Sequence, residues 1–156
     1  MSSLLKTLHP IARKPYSCMF CRCTIPVGEK YHRTTLVEDG ELYDWITHED
    51  CVKISSLMDM YDKADDGLNE ETFLDLLYDY ADKRYRDPEI DDLPEDIRRL
   101  SAVELVRKII ADWDTPESIL IRKEEDLFRC RYFNRTGRIS QLEAEIAELK
   151  KQIAKS

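Results

Sequence analysis

The sequence predicts a mainly α-helical protein with a small β-hairpin, beginning with a metal-binding finger and ending in a coiled-coil-like helix. Three observations predict this fold. Cysteines and a histidine cluster between positions 18 and 51, an Asp-Gly pair separates two β-prone segments, and apolar residues recur at helical spacing in the later chain. We divide the chain into a finger with a basic amino-terminal arm (1–63), an acidic helical region (64–136) and a C-terminal amphipathic helix (137–156).

Composition and charge narrow the class of protein. Hydrophobic residues make up 42% of the chain, with Gly 4 and Pro 6, which argues against disordered and low-complexity classes. No apolar run approaches the roughly 18–20 residues that a membrane span needs, and the amino end lacks a secretory signal pattern. We therefore expect a cytoplasmic protein with no membrane partner. The net charge of −8 lies within residues 61–100, while residues 1–37 are locally basic.

The cysteine pattern predicts a zinc site. Cys18 and Cys21 form a CxxC pair, and His48 and Cys51 form an HxxC pair. Two close pairs of Cys and His residues are what a tetrahedral zinc site requires, and cysteines of intracellular proteins are more often metal ligands than disulfides. Cys23 could replace one thiolate of the first pair, and the imidazole of His32 is a competing nitrogen. Cys130 is expected to be a small packing residue.

The residues between the two pairs predict how the ligands come together. Segments 30–38 and 41–47 are rich in β-formers, and Asp39-Gly40 between them is a strong hairpin signal. Thr47 is a candidate helix cap, which would place His48 and Cys51 three positions apart on one helical face. The resulting order of CxxC knuckle, hairpin and helix is that of a treble-clef finger.

These residues also resemble known zinc fingers. The pattern is C-x2-C-x26-H-x2-C, accompanied by Ile25, Gly28, Glu29, Lys30, Tyr31 and Trp45. Over residues 16–61 it is similar to the poly(ADP-ribose)-polymerase-type finger and to small treble-clef proteins common in phage genomes. The resemblance implies zinc at Cys18, Cys21, His48 and Cys51. Fingers of the polymerase type recognise DNA breaks through a basic, apolar face, whereas this strand pair is acidic.

The sequence does not predict an enzyme. Four protein ligands would close the zinc, whereas a catalytic zinc keeps an open position, so we expect structural Zn²⁺. The H-x-E signature of zinc deaminases is absent at His48, and the Asp-His pair of treble-clef nucleases is missing. No nucleophile with a neighbouring base and no phosphate-binding loop can be identified.

Helix start signals place the next elements. Asn69 begins an amphipathic helix, Ser101 and Glu104 form a capping box, and Thr115 followed by Pro116 begins a third helix. The acidic residues of the 62–96 region either form a solvated surface or provide a docking surface for a basic partner.

The last segment carries a heptad pattern. Its apolar residues are spaced three and four apart, which is the a/d spacing of a coiled coil: Ile139, Leu142, Ile146, Leu149 and Ile153. The pattern predicts self-association, with a dimer favoured. The alternative is that this helix packs on its own domain.

A basic cluster precedes that helix and offers a second kind of partner. It consists of Arg129, Arg131, Arg135 and Arg138, around Tyr132 and Phe133. Arginine and aromatic side chains together can hold the phosphates and bases of nucleic acid, or the arginine stems can simply cover helix surface.

Together these features predict a non-enzymatic, zinc-stabilised protein-interaction module that self-associates through its C-terminal helix. The resemblance to phage proteins implies a phage or mobile-element factor that acts on a host protein of transcription or defence, in the host cytoplasm. The alternative is a nucleic-acid-binding regulator that uses the finger, the basic amino-terminal arm and the Arg-rich segment 129–138.

Overall fold

The computed structural model describes residues 3–64 and 67–155, with side chains from Lys6 onward. Asp65 and Asp66 of the predicted acidic region, and the first two residues of the predicted arm, lie outside the described residues. The prediction of a mainly helical fold with a small β-hairpin is confirmed, and the hairpin is part of a small antiparallel sheet. The elements in chain order are β1 (Ser3–Leu8), β2 (Tyr16–Ser17), β3 (Thr24–Ile25), β4 (Tyr31–Glu38), β5 (Glu41–His48), α1 (Glu49–Leu57), α2 (Met60–Lys63), α3 (Glu70–Tyr85), α4 (Glu95–Arg98), α5 (Ala102–Ala111), α6 (Pro116–Tyr132) and α7 (Thr136–Lys155).

Two antiparallel sheets form the amino-terminal part. The larger has the strand order β1-β4-β5, and the smaller pairs β2 with β3. The predicted turn joins β4 to β5, with Asp39 at φ 51° and Gly40 at φ 80°, the positive values that a type I′ turn needs. Residues 3–8, inside the predicted basic arm, pair with β4 as a third strand that the sequence did not indicate.

The finger helix begins one residue later than predicted. The N-cap is His48, and Thr47 is the buried last-but-one residue of β5, so the prediction of a Thr47 cap is wrong. The strand pairing of Thr47 with His32 holds its backbone extended and inside the sheet. The helix then ends at Leu57, and Asp59, at φ 50°, separates it from α2.

The predicted starts of three later helices are confirmed. Asn69 Oδ1 accepts a hydrogen bond of 2.9 Å from the backbone N–H of Thr72. Ser101 and Glu104 form both bonds of a capping box at the start of α5. Thr115 caps α6, with proline at the first helical position. Each cap satisfies backbone N–H groups that have no partner inside their helix.

A single hydrophobic cluster joins the finger to the helices that follow it. Its buried members run from Ala12 in the finger to Ile109 in α5. The ring of Phe20, between the first two cysteines, packs against Trp45 of the hairpin with the ring centroids 5.6 Å apart. Arg22, which follows Cys21, forms an ion pair with Glu70 at the start of α3. The finger and the acidic helices therefore share one core.

Helices α6 and α7 form an antiparallel hairpin. Asn134, in the left-handed conformation at φ 54°, makes the turn between them. Leu142 and Ile146 of the predicted seam are buried within this single chain, and Lys123 of α6 pairs with Glu145 of α7 at 2.6 Å. The seam thus packs on its own domain, which is the alternative the sequence left open, and self-association stays a prediction. Among the described helices, none is long and apolar enough to cross a membrane.

Candidate metal centre

The first two predicted ligands lie in a tight turn after β2. The backbone N–H of Arg22 donates to Cys18 O at 3.0 Å, and Arg22 itself has φ 66°. This conformation directs the N–H groups of Phe20 and Cys21 toward Cys18 Sγ, at 3.4 and 3.5 Å. Backbone N–H groups aimed at a sulfur favour its thiolate form, because a hydrogen bond to the charged form stabilises it. The turn therefore prepares Cys18 to act as a metal ligand.

The other two predicted ligands lie where β5 meets α1. His48 is the last residue of the strand and the N-cap of the helix, and Cys51 is in the first helical turn. The backbone N–H of His48 donates to Cys18 Sγ at 3.4 Å, which ties the two halves of the site together. The junction of strand and helix brings both side chains to the knuckle, as the spacing predicts.

The four side chains form a compact, buried group. One ligand atom from each lies within 4.8 Å of the others. His48 Nδ1 is 3.2 Å from Cys21 Sγ and 3.8 Å from Cys51 Sγ. A tetrahedral ion with bonds of about 2.0–2.3 Å separates its ligand atoms by roughly 3.4–3.8 Å, so the spacing requires only small adjustments. These four buried residues could hold a metal ion such as zinc.

Groups around His48 orient its ring for that role. Its Nε2 lies 3.3 Å from the backbone carbonyl of Thr24 and 3.7 Å from Glu29 Oε2. Since an imidazole that donates from Nε2 has its lone pair on Nδ1, this arrangement presents the lone pair to the sulfurs. A hydrogen bond to a backbone carbonyl or a carboxylate is the usual partner of a metal-bound histidine.

The thiols interact strongly with one another. The pKa of Cys18 is lowered, first because it accepts hydrogen bonds from the side chains of Cys21 and Cys51. The pKa of Cys51 is raised by its hydrogen bonds with Cys18 and Cys21 and by burial, and that of Cys21 is raised chiefly by Cys18. Because three neighbouring buried thiolates would repel one another, a cation is needed for all three to ionise together.

The alternative ligands lie outside this group. Cys23 is half-buried, and its thiol donates to the backbone carbonyl of Cys21 at 3.6 Å. His32 belongs to a different group of side chains, with His9 and Glu49. Cys130 is buried in α6 as a packing residue. Of the cysteines and histidines, the described structure therefore brings the four predicted ones together.

The predicted arginine cluster lies at the turn of the α6–α7 hairpin. Its members are Arg129, Arg131, Arg135 and Arg138, all exposed. Arg131 forms an ion pair of 3.0 Å with Glu143, whereas the other three form no ion pair with the described residues. Three of the four guanidinium groups at this turn are therefore not used in ion pairs with described residues.

An exposed aromatic strip, formed by Phe128, Tyr132 and Phe133, lies among these arginines. The three residues are 70%, 72% and 62% exposed, and the last two pack edge to face with centroids 5.0 Å apart. The cluster predicted from the sequence included Tyr132 and Phe133 but not Phe128. The spacing of four between Phe128 and Tyr132 was the available signal, because it places both on one line of the helix.

A groove continues from this strip between α3 and α6. Its volume is about 670 Å³. Its lining combines apolar side chains with a few charged ones: Met58, Leu76, Tyr80, Ile121, Phe128, Lys63, Lys83, Asp79, Glu124, Glu125 and Arg129. Glu125 pairs with Lys63 at 3.7 Å and with Lys83 at 3.3 Å. The sequence did not indicate the groove, because it depends on how α3 and α6 lie relative to each other.

In comparisons with known proteins, no protein-family model, curated protein or solved structure matches the chain.

Proposed function

We propose that residues 16–61 form a treble-clef finger whose Cys18, Cys21, His48 and Cys51 hold structural Zn²⁺. The order of knuckle, β4–β5 hairpin and α1 supports this proposal, as do the four buried donors. When bound, zinc supplies four bonds that close this small unit. The chain's own residues orient the donors through hydrogen bonds to Cys18 Sγ and to the His48 ring.

We propose further that the protein is a non-enzymatic interaction module that binds a protein partner. The exposed aromatic strip is the observation that carries this proposal. Exposed aromatic side chains that continue into an apolar groove are typical of protein-binding surfaces, where such residues contribute most of the affinity. The groove has the size to hold side chains of one partner segment.

The charge around the groove defines the chemistry of that partner. The groove lining carries charges of both signs: Asp79, Glu124, Glu125, Lys63, Lys83 and Arg129. Elsewhere on α3, the exposed Glu71 and Asp75 add negative charge to the helix. A partner that presents apolar anchors to the groove and basic residues to α3 would complement both features. The acidic region predicted from the sequence then helps to select the partner rather than only keeping the protein soluble.

Self-association through α7 is part of the proposal. The hairpin buries Leu142 and Ile146, but Ile139, Leu149 and Ile153 of the seam are only half-buried. They belong to the same face as Leu142 and Ile146, and a second hairpin could cover the part of this face that stays accessible beside α6. A dimer of hairpins would be a four-helix arrangement, a stable way to pack such surfaces.

Light scattering tests this part of the proposal. We expect full-length protein to have the mass of a dimer, and the double substitution Leu149→Gln with Ile153→Gln to shift it to the monomer mass. Exposed Ala147 lies off the seam, so Ala147→Gln is the matched control and should leave the mass unchanged. Equal masses for the wild type and the seam variant would exclude self-association through α7.

The resemblance of residues 16–61 to phage treble-clef proteins supports a proposal about the biological role of the protein. The protein would then act as a phage or mobile-element factor that binds a host protein of transcription or defence in the host cytoplasm. A small module with one exposed binding surface and no predicted catalytic group fits a factor that works by binding.

A partner-capture experiment with matched variants tests the binding surface. Immobilised wild type is compared with Phe128→Ala/Tyr132→Ala, and with Val27→Ala/Leu42→Ala, which removes exposed apolar residues elsewhere. We expect one stoichiometric protein to bind the wild type and the control but not the aromatic variant, and the purified partner to reproduce that difference. A partner that binds all three equally would exclude the aromatic strip as the docking surface.

A second candidate function is nucleic-acid binding at the same end of the molecule. It is favoured by Arg129, Arg135 and Arg138, which form no ion pair within the described part of the chain. The guanidinium of Arg135 lies 5.8 Å from the ring centroid of exposed Phe133. Bases can stack on such rings while the arginines contact phosphates. Retardation of single-stranded nucleic acid that weakens steeply with salt, and is lost in Arg135→Glu/Arg138→Glu, would favour this function. No retardation at low salt would exclude it.

A further inference from the structure

We propose a second metal site formed by His9, His32 and Glu49, which binds Zn²⁺ or a similar first-row divalent ion. One donor atom from each of the three side chains lies within 4.8 Å of the others. Two imidazoles and one carboxylate are a donor set that suits zinc, and they leave a coordination position open for water. This site is separate from the four-ligand group, and it gives His32 a role that the first group does not use.

Three different elements bring these side chains together. His9 directly follows β1, His32 is the second residue of β4, and Glu49 is the first residue of α1. The rings of His9 and His32 lie edge to face with centroids 5.1 Å apart. His9 Nδ1 is 2.6 Å from Glu49 Oε1, so two of the three donors already converge. A bound tetrahedral ion would separate these two atoms to roughly 3.3–3.5 Å, so the side chains would move apart by somewhat less than about 1 Å.

An unpartnered nitrogen points to a ligand at this place. His32 Nδ1 is buried and has no hydrogen-bond partner among the described residues. A buried polar atom without a partner costs free energy, and a metal bond would remove that cost.

The location gives the second site a structural consequence. Glu49 is the neighbour of His48, so the first turn of α1 would contribute to both sites. An ion held by His9, His32 and Glu49 would link the end of β1 and the start of β4 to that helix. Because β1 is an edge strand held by β4, such a link would stabilise the amino-terminal strand against separation.

Metal content of the full-length protein tests the proposal. Wild type, His9→Ala and His32→Ala are each saturated with Zn²⁺ and freed of unbound ion. Elemental mass spectrometry then gives the number of zinc ions per chain. We expect two zinc ions per chain in the wild type and one in each variant. The matched control Glu41→Gln, an exposed carboxylate at the hairpin turn, should keep two. His9 is exposed, so His9→Ala is expected to fold.

Cobalt separates the two sites. Co²⁺ bound to the three-cysteine group gives thiolate-to-cobalt charge-transfer absorption, and Co²⁺ bound to two histidines and a glutamate does not. We expect that absorption to be unchanged in His9→Ala while one equivalent of Co²⁺ is lost. One ion per chain in the wild type, or two ions in both histidine variants, would overturn the proposal.

Discussion

The ring of Phe20 stacks on the ring of Phe73, with the centroids 4.6 Å apart and an angle of 5° between the ring planes. Phe20 lies between the first two metal-ligand candidates, and Phe73 lies in α3, so this pair connects the metal centre to the acidic helices. Both side chains are fully buried. The conformation of the knuckle and the position of α3 therefore depend on each other.

Removing one of these rings should destabilise the whole protein. Replacing a buried phenylalanine by alanine removes its contacts and leaves a cavity, which costs about 3–5 kcal/mol. We expect Phe73→Ala to lower the free energy of unfolding by that amount in urea denaturation of the metal-loaded protein. Tyr78→Ala on an exposed position of the same helix is the control and should change it little. Similar losses of unfolding free energy in both variants would show that the stacked pair contributes no more to stability than an exposed aromatic residue of the same helix.

Metal removal should unfold the finger. The four donors converge on one point and join the knuckle to the junction of β5 and α1, so the bound ion contributes directly to folding. We expect a strong chelator to lower Tm, and Cys51→Ser to reduce bound zinc and Tm together. Cys23→Ser is the matched control, because Cys23 lies outside the group of four. Unchanged melting on loss of the metal would contradict a structural role.

The capping box at the start of α5 should be measurable as a local contribution. Ser101 Oγ accepts a hydrogen bond from the N–H of Glu104, whose carboxylate in turn accepts one from the N–H of Ser101. Substituting an N-cap serine by alanine costs about 0.5–2 kcal/mol. We expect Ser101→Ala to fall in this range by chemical denaturation. Ser140→Ala, on the exposed surface of α7, is the control, and its change in the free energy of unfolding should be close to zero.

The β4–β5 hairpin should become less stable in acid. The pKa of Asp44 is lowered by its hydrogen bonds with Arg33 and then Thr35. A carboxyl whose pKa is lower in the folded state stabilises the protein above its unfolded pKa, and that contribution disappears as pH falls through the folded value. We expect Asp44→Asn to flatten the acid limb of a plot of Tm against pH. An acid limb identical to that of the wild type would show that Asp44 does not contribute.

The features predicted correctly from the sequence are those encoded by neighbouring residues. Asp39-Gly40, Asn69 and the Ser101–Glu104 box work within a single turn, where local chemistry decides the conformation. The four candidate ligands were found for a related reason. Two short pairs of Cys and His residues limit the number of ways to surround an ion.

The features that were missed depend on distant contacts. Segment 3–8 of the predicted amino-terminal arm becomes a strand because β4 offers it an edge, and its own residues do not indicate this. His9, His32 and Glu49 meet through the pairing of β1 with β4 and the start of α1. The heptad pattern of α7 did not distinguish a second chain from α6, because both can cover the same apolar positions.

The shared core also affects how this protein could be divided or recombined. Its buried residues form one cluster whose members lie between Ala12 and Ile109, on both sides of the boundary at residue 63 that the sequence suggested. A finger transplanted alone onto another protein would carry Phe20 and its neighbours without the helices that cover them. Recombination during evolution would meet the same restriction, so residues 12–109 are expected to be inherited as one unit.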